Sequence, residues 1–99
     1  MRTSKIIWTP QSQEDLREIR RFIARDAPVS AKLFIRQLRS SVLRLRQFPE
    51  SGSVVPERGI PSVREIFYGA YRIIYRVGRD RIDILTVVHG ARLFDKDQI

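Results

Sequence analysis

The sequence contains no cysteine and only one histidine. Disulfides and thiolate metal ligands are therefore excluded, and one His cannot build a multi-histidine metal site. The glycines lie singly near turn-like segments, so the chain has no glycine-rich phosphate loop: they are Gly52, Gly59, Gly69, Gly78 and Gly90. No Gly-x-Ser-x-Gly nucleophile elbow occurs either. We therefore expect no metal and no cofactor.

Long hydrophobic runs are also missing. The apolar stretch Ile6-Ile7-Trp8 is far too short for a signal-peptide core or a membrane span. Together with the absence of cysteine, this favours a cytoplasmic protein that does not contact a membrane. The 99 residues, 42% of them hydrophobic and 30% charged, suit a single small domain over residues 1–99.

Acidic residues are scarce relative to basic ones. The chain has 19 Lys and Arg against 11 Asp and Glu, which gives a net charge of +8. Most of the cations are Arg, the residue better suited to bidentate contacts with phosphate or carboxylate. The charge favours a polyanionic partner, such as nucleic acid, a ribosome or an acidic protein, over a merely solvated basic surface.

The last third of the chain predicts an antiparallel meander. Val63–Tyr68, Tyr71–Val77 and Ile82–His89 are rich in strand-forming residues and are separated by short turns. If Arg79 and Asp80 form the second turn, the pairs across it are Gly78 with Arg81, Arg76 with Asp83, Ile74 with Leu85, and Arg72 with Val87.

Strict alternation along these strands predicts two different faces. The apolar face carries Tyr71, Ile73, Tyr75, Val77, Ile82, Ile84, Thr86 and Val88. The other face mixes charge with an apolar floor and carries Arg72, Ile74, Arg76, Asp83, Leu85, Val87 and His89. We expect Arg76 and Asp83 to pair across the strands, which makes a catalytic pair of carboxylates improbable.

The first half predicts a short strand and a helical hairpin. Ser4–Thr9 is the strand, and Thr9 followed by Pro10 is typical of a helix start. Two amphipathic helices follow, the first ending near Asp26 and the second running from Pro28 to Gln47. Their apolar stripes are Leu16, Ile19, Phe22 and Ile23, and then Ala31, Phe34, Ile35, Leu38, Val42 and Leu45.

A Pro- and Gly-rich surface loop, Phe48–Pro61, connects the helices to the meander. The predicted fold class is therefore α+β: an N-terminal strand, an α-helical hairpin, and a three-stranded antiparallel meander. The strands form one sheet that the helices cover on one face.

The polar residues with the strongest functional pattern are Arg72, His89 and Arg92, which the predicted sheet brings together at one end. Such a set could act on phosphate, as in RNA cleavage, where the 2′-hydroxyl is the internal nucleophile and the protein supplies charge and proton transfer. Structural explanations remain open: Arg72 could project into solvent, and His89 could be a hydrogen-bonded residue at a strand end.

The order of these elements resembles the RelE/ParE superfamily of type II toxins. The resemblance covers nearly the whole chain. Its clearest motifs are Tyr71-Arg72-Ile73-Ile74-Tyr75 and Val88-His89-Gly90-Ala91-Arg92. Further matching positions are Trp8-Thr9-Pro10, Asp15-Leu16, Ile19, the apolar stripe of the second helix, and Phe48-Pro49 with Gly52. It implies a growth-arresting toxin that an acidic antitoxin neutralises in a toxin–antitoxin hetero-oligomer. RelE-like members cut mRNA on the ribosome, and ParE-like members poison DNA gyrase.

Within the resemblance, Arg72 matches the arginine that contacts the scissile phosphate in RelE-like enzymes, and Arg92 matches the arginine after the last strand. With His89 they would be catalytic if this chain is an RNase, and Arg64, Arg72, Arg76 and Arg92 would bind a partner or nucleic acid. The C-terminal Tyr of such nucleases is absent, and Arg64 is the nearest cation where they carry catalytic lysines. The ending resembles the ParE-like branch, which has His three residues before Arg.

The resemblance therefore favours a gyrase poison. A ribosome-dependent mRNA endonuclease and an inactive nucleic-acid-binding relative are the alternatives. Whether the chain is an enzyme stays open at this point.

Overall fold

The computed structural model describes residues 3–90. In chain order the elements are β1 (Lys5–Trp8), α1 (Pro10–Ala24), α2 (Pro28–Ser41), a 3-10 turn (Leu43–Arg46), β2 (Ser53–Val54), β3 (Val63–Tyr68), β4 (Tyr71–Gly78) and β5 (Arg81–His89). The second helix is shorter than predicted, because the chain tightens into the 3-10 turn after Ser41 while Leu45 stays buried. No helix within residues 3–90 is long and apolar enough to cross a membrane.

The strands form one open mixed sheet in the order β1-β5-β4-β3-β2. The predicted meander β3-β4-β5 is confirmed, and β1 lies parallel to β5, with Lys5 opposite Arg81 and Trp8 opposite Ile84. The strand that the sequence did not predict is β2, two residues of the Pro- and Gly-rich segment that pair with β3. This segment is therefore partly built into the sheet.

The N-cap residue Thr9 and Asp15 of α1 fasten the helix to β5. The Thr9 hydroxyl caps α1 by accepting from the Ser12 N–H (3.2 Å), and it donates to the backbone oxygen of Ile84 (2.6 Å). Farther along the helix, the Asp15 carboxylate accepts hydrogen bonds from the Thr86 hydroxyl and from the Val87 N–H (2.9 Å). The helix thus satisfies backbone groups of β5 beyond the point where β1 ends.

A β-bulge at Leu85 changes the predicted register of the last hairpin. Gly78–Arg81 and Arg76–Asp83 pair as expected, but Ile74 faces Thr86 instead of Leu85, and Arg72 faces Val88 instead of Val87. The extra residue places Val87, Val88 and His89 on the faces opposite to those that strict alternation predicts. Val87 therefore packs into the core beneath the helices, whereas Val88 packs on the other side of the sheet.

The main core lies between the helices and the sheet. Its buried members include Leu16, Ile19, Leu38, Val42, Leu45, Ile66, Ile73, Tyr75, Ile82, Ile84 and Val87. Phe22 was predicted to join this core, but it is 64% exposed. A smaller cluster of Val55, Val63 and Ile74 on the opposite face shows that the loop after β2 covers part of that face.

Candidate functional site

Arg72 is the centre of a buried ion-pair cluster on the face of the sheet that the helices do not cover. It lies in β4, opposite Phe67 of β3 and Val88 of β5, and it is only 5% exposed. Its Nη1 and Nη2 donate to the two carboxylate oxygens of Glu57 at 2.9 and 3.0 Å, and its Nε donates to Glu65 Oε1 at 2.7 Å. Arg72 is therefore held by two carboxylates.

The ionisation of the cluster follows from these contacts. Hydrogen bonds from Arg72 are the largest cause that lowers the pKa of Glu57, and burial opposes them. The same hydrogen bond from Arg72 to Glu57, with a smaller one to Glu65, raises the pKa of Arg72. Glu57 and Arg72 are therefore both charged at neutral pH, and they form an ion pair beside the Glu65 carboxyl group.

The arrangement around the guanidinium determines what it can bind. The Glu57 carboxylate accepts two hydrogen bonds from the Arg72 guanidinium, in the planar bidentate geometry with which Arg also binds phosphate. A phosphate would have to displace Glu57 and then lie beside two nearby carboxylates. In this conformation the cluster does not present Arg72 as an open phosphate-binding group.

A shallow depression lies over the cluster. Its lining consists of Pro56, Glu57, Glu65, Phe67, Arg72 and Gly90. The Phe67 ring is 57% exposed at its border, so the depression joins a carboxylate-rich floor to an apolar rim. Such a surface suits contact with another protein better than contact with a nucleic-acid backbone.

Arg64 supports the loop before β3 instead of facing an open site. Its guanidinium donates to the backbone oxygens of Pro61 (2.8 Å), Glu50 (3.2 Å) and Gly52 (2.8 Å). The buried Tyr75 hydroxyl completes the loop anchor by accepting from the Gly52 N–H (3.0 Å). These hydrogen bonds hold in place the loop that contains Glu57, the residue that pairs with Arg72.

His89 and Arg72 lie on opposite faces of the sheet. The His89 ring contacts the Tyr71 ring edge to face, 5.7 Å between centroids, and lines a groove beside Asp15 and Glu18 of α1. The bulge at Leu85 causes this separation, because it reverses the direction of the last residues of β5. The predicted convergence of the two side chains is absent from this structure.

The remaining predicted residues are less informative. Arg76 lies half-buried in β4 opposite Asp83, as the register predicted, while Asp83 accepts from Arg81 at 2.7 Å. Arg92 lies outside the described residues. Within residues 3–90, no group of His, Asp or Glu side chains is placed to hold a metal ion.

Sequence reasoning missed the two carboxylates that hold Arg72. Glu65 could have been found, because the tight Gly69-Ala70 turn pairs Phe67 with Arg72 and so places Glu65 diagonally beside Arg72. Glu57 could not, since it belongs to an irregular loop segment without periodicity.

The same architecture occurs in solved toxin structures. The chromosomal ParDE toxin–antitoxin system from P. aeruginosa gives a TM-score of 0.74 at 22% identity, covering 88% of this chain and 96% of that one. The RelBE2 toxin–antitoxin complex from Mycobacterium tuberculosis gives 0.58 at 18% identity, covering 88% and 98%. A mutant E. coli toxin RelE in the free state gives 0.65 at 14% identity, covering 90% and 85%.

These likenesses show that the chain shares its fold with these three toxins. A search of curated protein sequences found no significant match. The family described as ParE toxin of type II toxin-antitoxin system, parDE, matches residues 6–94. The chain therefore belongs to the ParE toxin family.

Proposed function

We propose that this protein arrests bacterial growth by poisoning DNA gyrase and that it cleaves no RNA itself. The environment of Arg72 carries the proposal. In a RelE-like nuclease the matching arginine must reach the scissile phosphate, whereas here Glu57 and Glu65 hold it at 2.7 to 3.0 Å. The separation of His89 from Arg72 gives further support, because a general acid or base must lie within reach of the reacting phosphate.

We also propose a cytoplasmic hetero-oligomer with a cognate acidic antitoxin. The similar P. aeruginosa and M. tuberculosis structures are described as a toxin–antitoxin system and a toxin–antitoxin complex. The net charge of +8 is complementary to an acidic segment. Neutralisation by such a partner would allow a cell to carry the toxin without growth arrest.

The decisive experiment is induced expression in a host that lacks the antitoxin, with DNA breaks and mRNA integrity followed in the same culture. We expect an SOS response, covalent gyrase–DNA complexes and intact transcripts. With purified gyrase, ATP and supercoiled plasmid, the toxin should produce linear DNA that appears only after detergent and protease treatment.

His89→Ala provides a clean control, because this exposed side chain can be removed without disturbing the core. The proposal predicts intact mRNA both with the parent protein and with this variant. Codon-phased mRNA cleavage that disappears in His89→Ala would instead identify a nuclease. Normal growth with the folded protein present would leave an inactive relative as the explanation.

A further inference from the structure

The second helix and the 3-10 turn that follows it contain no carboxylate. Between Ala27 and Phe48 the sequence has no Asp or Glu, although the whole chain has 11. The same span supplies five of the eight net positive charges, and α1 differs from it because Arg17 and Arg21 are both paired with Glu14. The five cations of the span are all exposed: Lys32, Arg36, Arg39, Arg44 and Arg46.

Four of these cations form a straight stripe. At 3.6 residues per turn, positions 32, 36, 39 and 43 lie within about 60° of one another around the helix axis. The backbone of Val42 stays in the right-handed helical region, so the stripe continues into the 3-10 turn, where residues three apart eclipse and Arg46 follows Leu43. The cationic stripe is about 20 Å long. It consists of Lys32, Arg36, Arg39, Leu43 and Arg46.

Most of the cationic stripe does not stabilise the helix. Like charges three or four positions apart on a helix repel each other, and Lys32, Arg36 and Arg39 have these spacings. Among the residues that the structure describes, the ion pairs include none of the four cations. Only Arg39 lies in the last turn of α2, where a positive charge complements the helix dipole. A row of cations that the chain does not compensate indicates an anionic partner.

We propose that the cationic stripe binds the phosphate backbone of duplex DNA. Duplex DNA carries one negative charge per about 1.7 Å of its axis, so a stripe of about 20 Å lies beside more phosphates than its four cations can contact. Arg and Lys bind phosphates without reading the bases, so the binding is independent of sequence. The proposal does not depend on whether gyrase is the target, because it concerns the toxin and DNA alone.

Other anionic partners fit the cationic stripe less well. A membrane would have to take up the apolar side of α2, but Leu38 on that side is buried in the core. An acidic protein would need an apolar centre of its interface, and Leu43 is the single apolar side chain of the stripe. A single strand stacks its bases on a row of aromatic rings. The Trp8 ring packs against the core and lies under Arg39, 5.1 Å from Cζ to the ring centroid, and Phe48 is one exposed ring beyond the end of the stripe.

The test measures binding of the full-length toxin to a fluorescein-labelled DNA duplex by fluorescence anisotropy. The duplex has about 24 base pairs, and the salt concentration is varied from about 50 to about 200 mM. Each phosphate contact contributes about −0.9 to the slope of log K against log salt concentration, so four contacts predict a slope of about −3.6. A duplex of unrelated sequence should bind with the same affinity, because the contacts are to the backbone.

Neutral variants remove part of the stripe without touching the core. Arg36→Gln with Arg46→Gln should lower the slope to about −1.8 and weaken binding at about 50 mM salt by at least about tenfold. Arg36→Lys with Arg46→Lys should keep most of the slope, because a phosphate contact needs the positive charge. Arg58→Gln with Arg79→Gln is the matched control, since it makes the same charge change at exposed positions outside the stripe and should change the slope little. An unchanged circular dichroism spectrum verifies that each variant is folded.

The proposal fails if the Arg58/Arg79 control lowers the slope as much as the Arg36/Arg46 change, or if the Arg36→Gln with Arg46→Gln protein binds the duplex as the parent does. Parallel titrations use a single DNA strand, an RNA duplex, phosphatidylglycerol vesicles and a polyglutamate peptide. Weaker binding of all four at the same salt concentration supports the assignment. Tighter binding of any of them that requires Arg36 and Arg46 would overturn the assignment to duplex DNA.

Discussion

Replacement of Arg72 by Ala should destabilise the protein far more than the loss of an ordinary surface arginine. Within residues 3–90, Arg72 is the one charged side chain that donates a hydrogen bond to the Glu65 carboxylate, and the change removes that donor. Glu65 is 9% exposed, so its carboxylate would remain buried without a compensating charge. Glu57 would lose both of its bidentate bonds at the same time.

The expected cost is about 3–5 kcal/mol, the usual range when one partner of a buried ion pair is removed. Domains of this size have total unfolding free energies of about 5–15 kcal/mol, so the variant would lose a large fraction of its stability. The charged cluster itself need not be stabilising compared with an apolar one, because desolvation of the ions offsets their attraction. The loss comes from the carboxylates left behind.

Urea denaturation measures this loss directly. Trp8, the only tryptophan, reports on the interface between β1 and the helices by fluorescence, and circular dichroism reports on the helices. Arg81→Ala is the matched control, because Arg81 pairs with Asp83 at an exposed site and its loss should cost less than about 1 kcal/mol. If Arg72→Ala costs no more than Arg81→Ala, the buried cluster does not hold together as described.

Three further predictions address the anchors of the loop and of the helix. Tyr75→Phe should cost about 1–3 kcal/mol in the same urea assay, since the buried Gly52 N–H loses its acceptor; an unchanged midpoint would contradict this role. Asp15→Ala should cost about 1–3 kcal/mol and should speed amide exchange of Val87, whose N–H it caps at 2.9 Å; unchanged exchange would show that the cap is dispensable. The pKa of Glu57 is lowered from its usual value of 4.5, so its contribution to stability is present above that pH and is lost as the pH falls through the folded-state pKa. Glu57→Gln should therefore destabilise at about pH 7 and much less at about pH 3, and an equal loss at both would refute the assignment.

The sequence was sufficient for the order of the two helices and the four longer strands, including the meander, but not for β2. The bounds of β3 match the prediction because Gly69, at a positive φ of 56°, allows a turn that few other residues would form. Thr9 caps α1 as its position before Pro10 predicted. In each case a residue with a strong local preference decides the structure, so no knowledge of distant contacts is needed.

The bulge at Leu85 could not be predicted in the same way. Ile82, Ile84, Thr86 and Val88 alternate in the sequence without interruption, and nothing local marks an extra residue. The two residues that follow the bulge, Thr86 and Val87, donate hydrogen bonds to Asp15, which is separated from Val87 by 72 positions along the chain. A contact of that range is not encoded in the local pattern, and it decides on which face of the sheet His89 lies.

The functional interpretation of a motif depends on the partners of its residues as much as on the residues themselves. The Tyr-Arg-x-x-Tyr strand is present, yet two glutamates decide whether Arg72 can serve as a phosphate-binding group. The position of Glu65 could be predicted from the hairpin register. Glu57 lies in an irregular loop anchored by Arg64 and Tyr75. While that loop holds Glu57 against Arg72, the guanidinium acts as a structural ion and is not open to a phosphate.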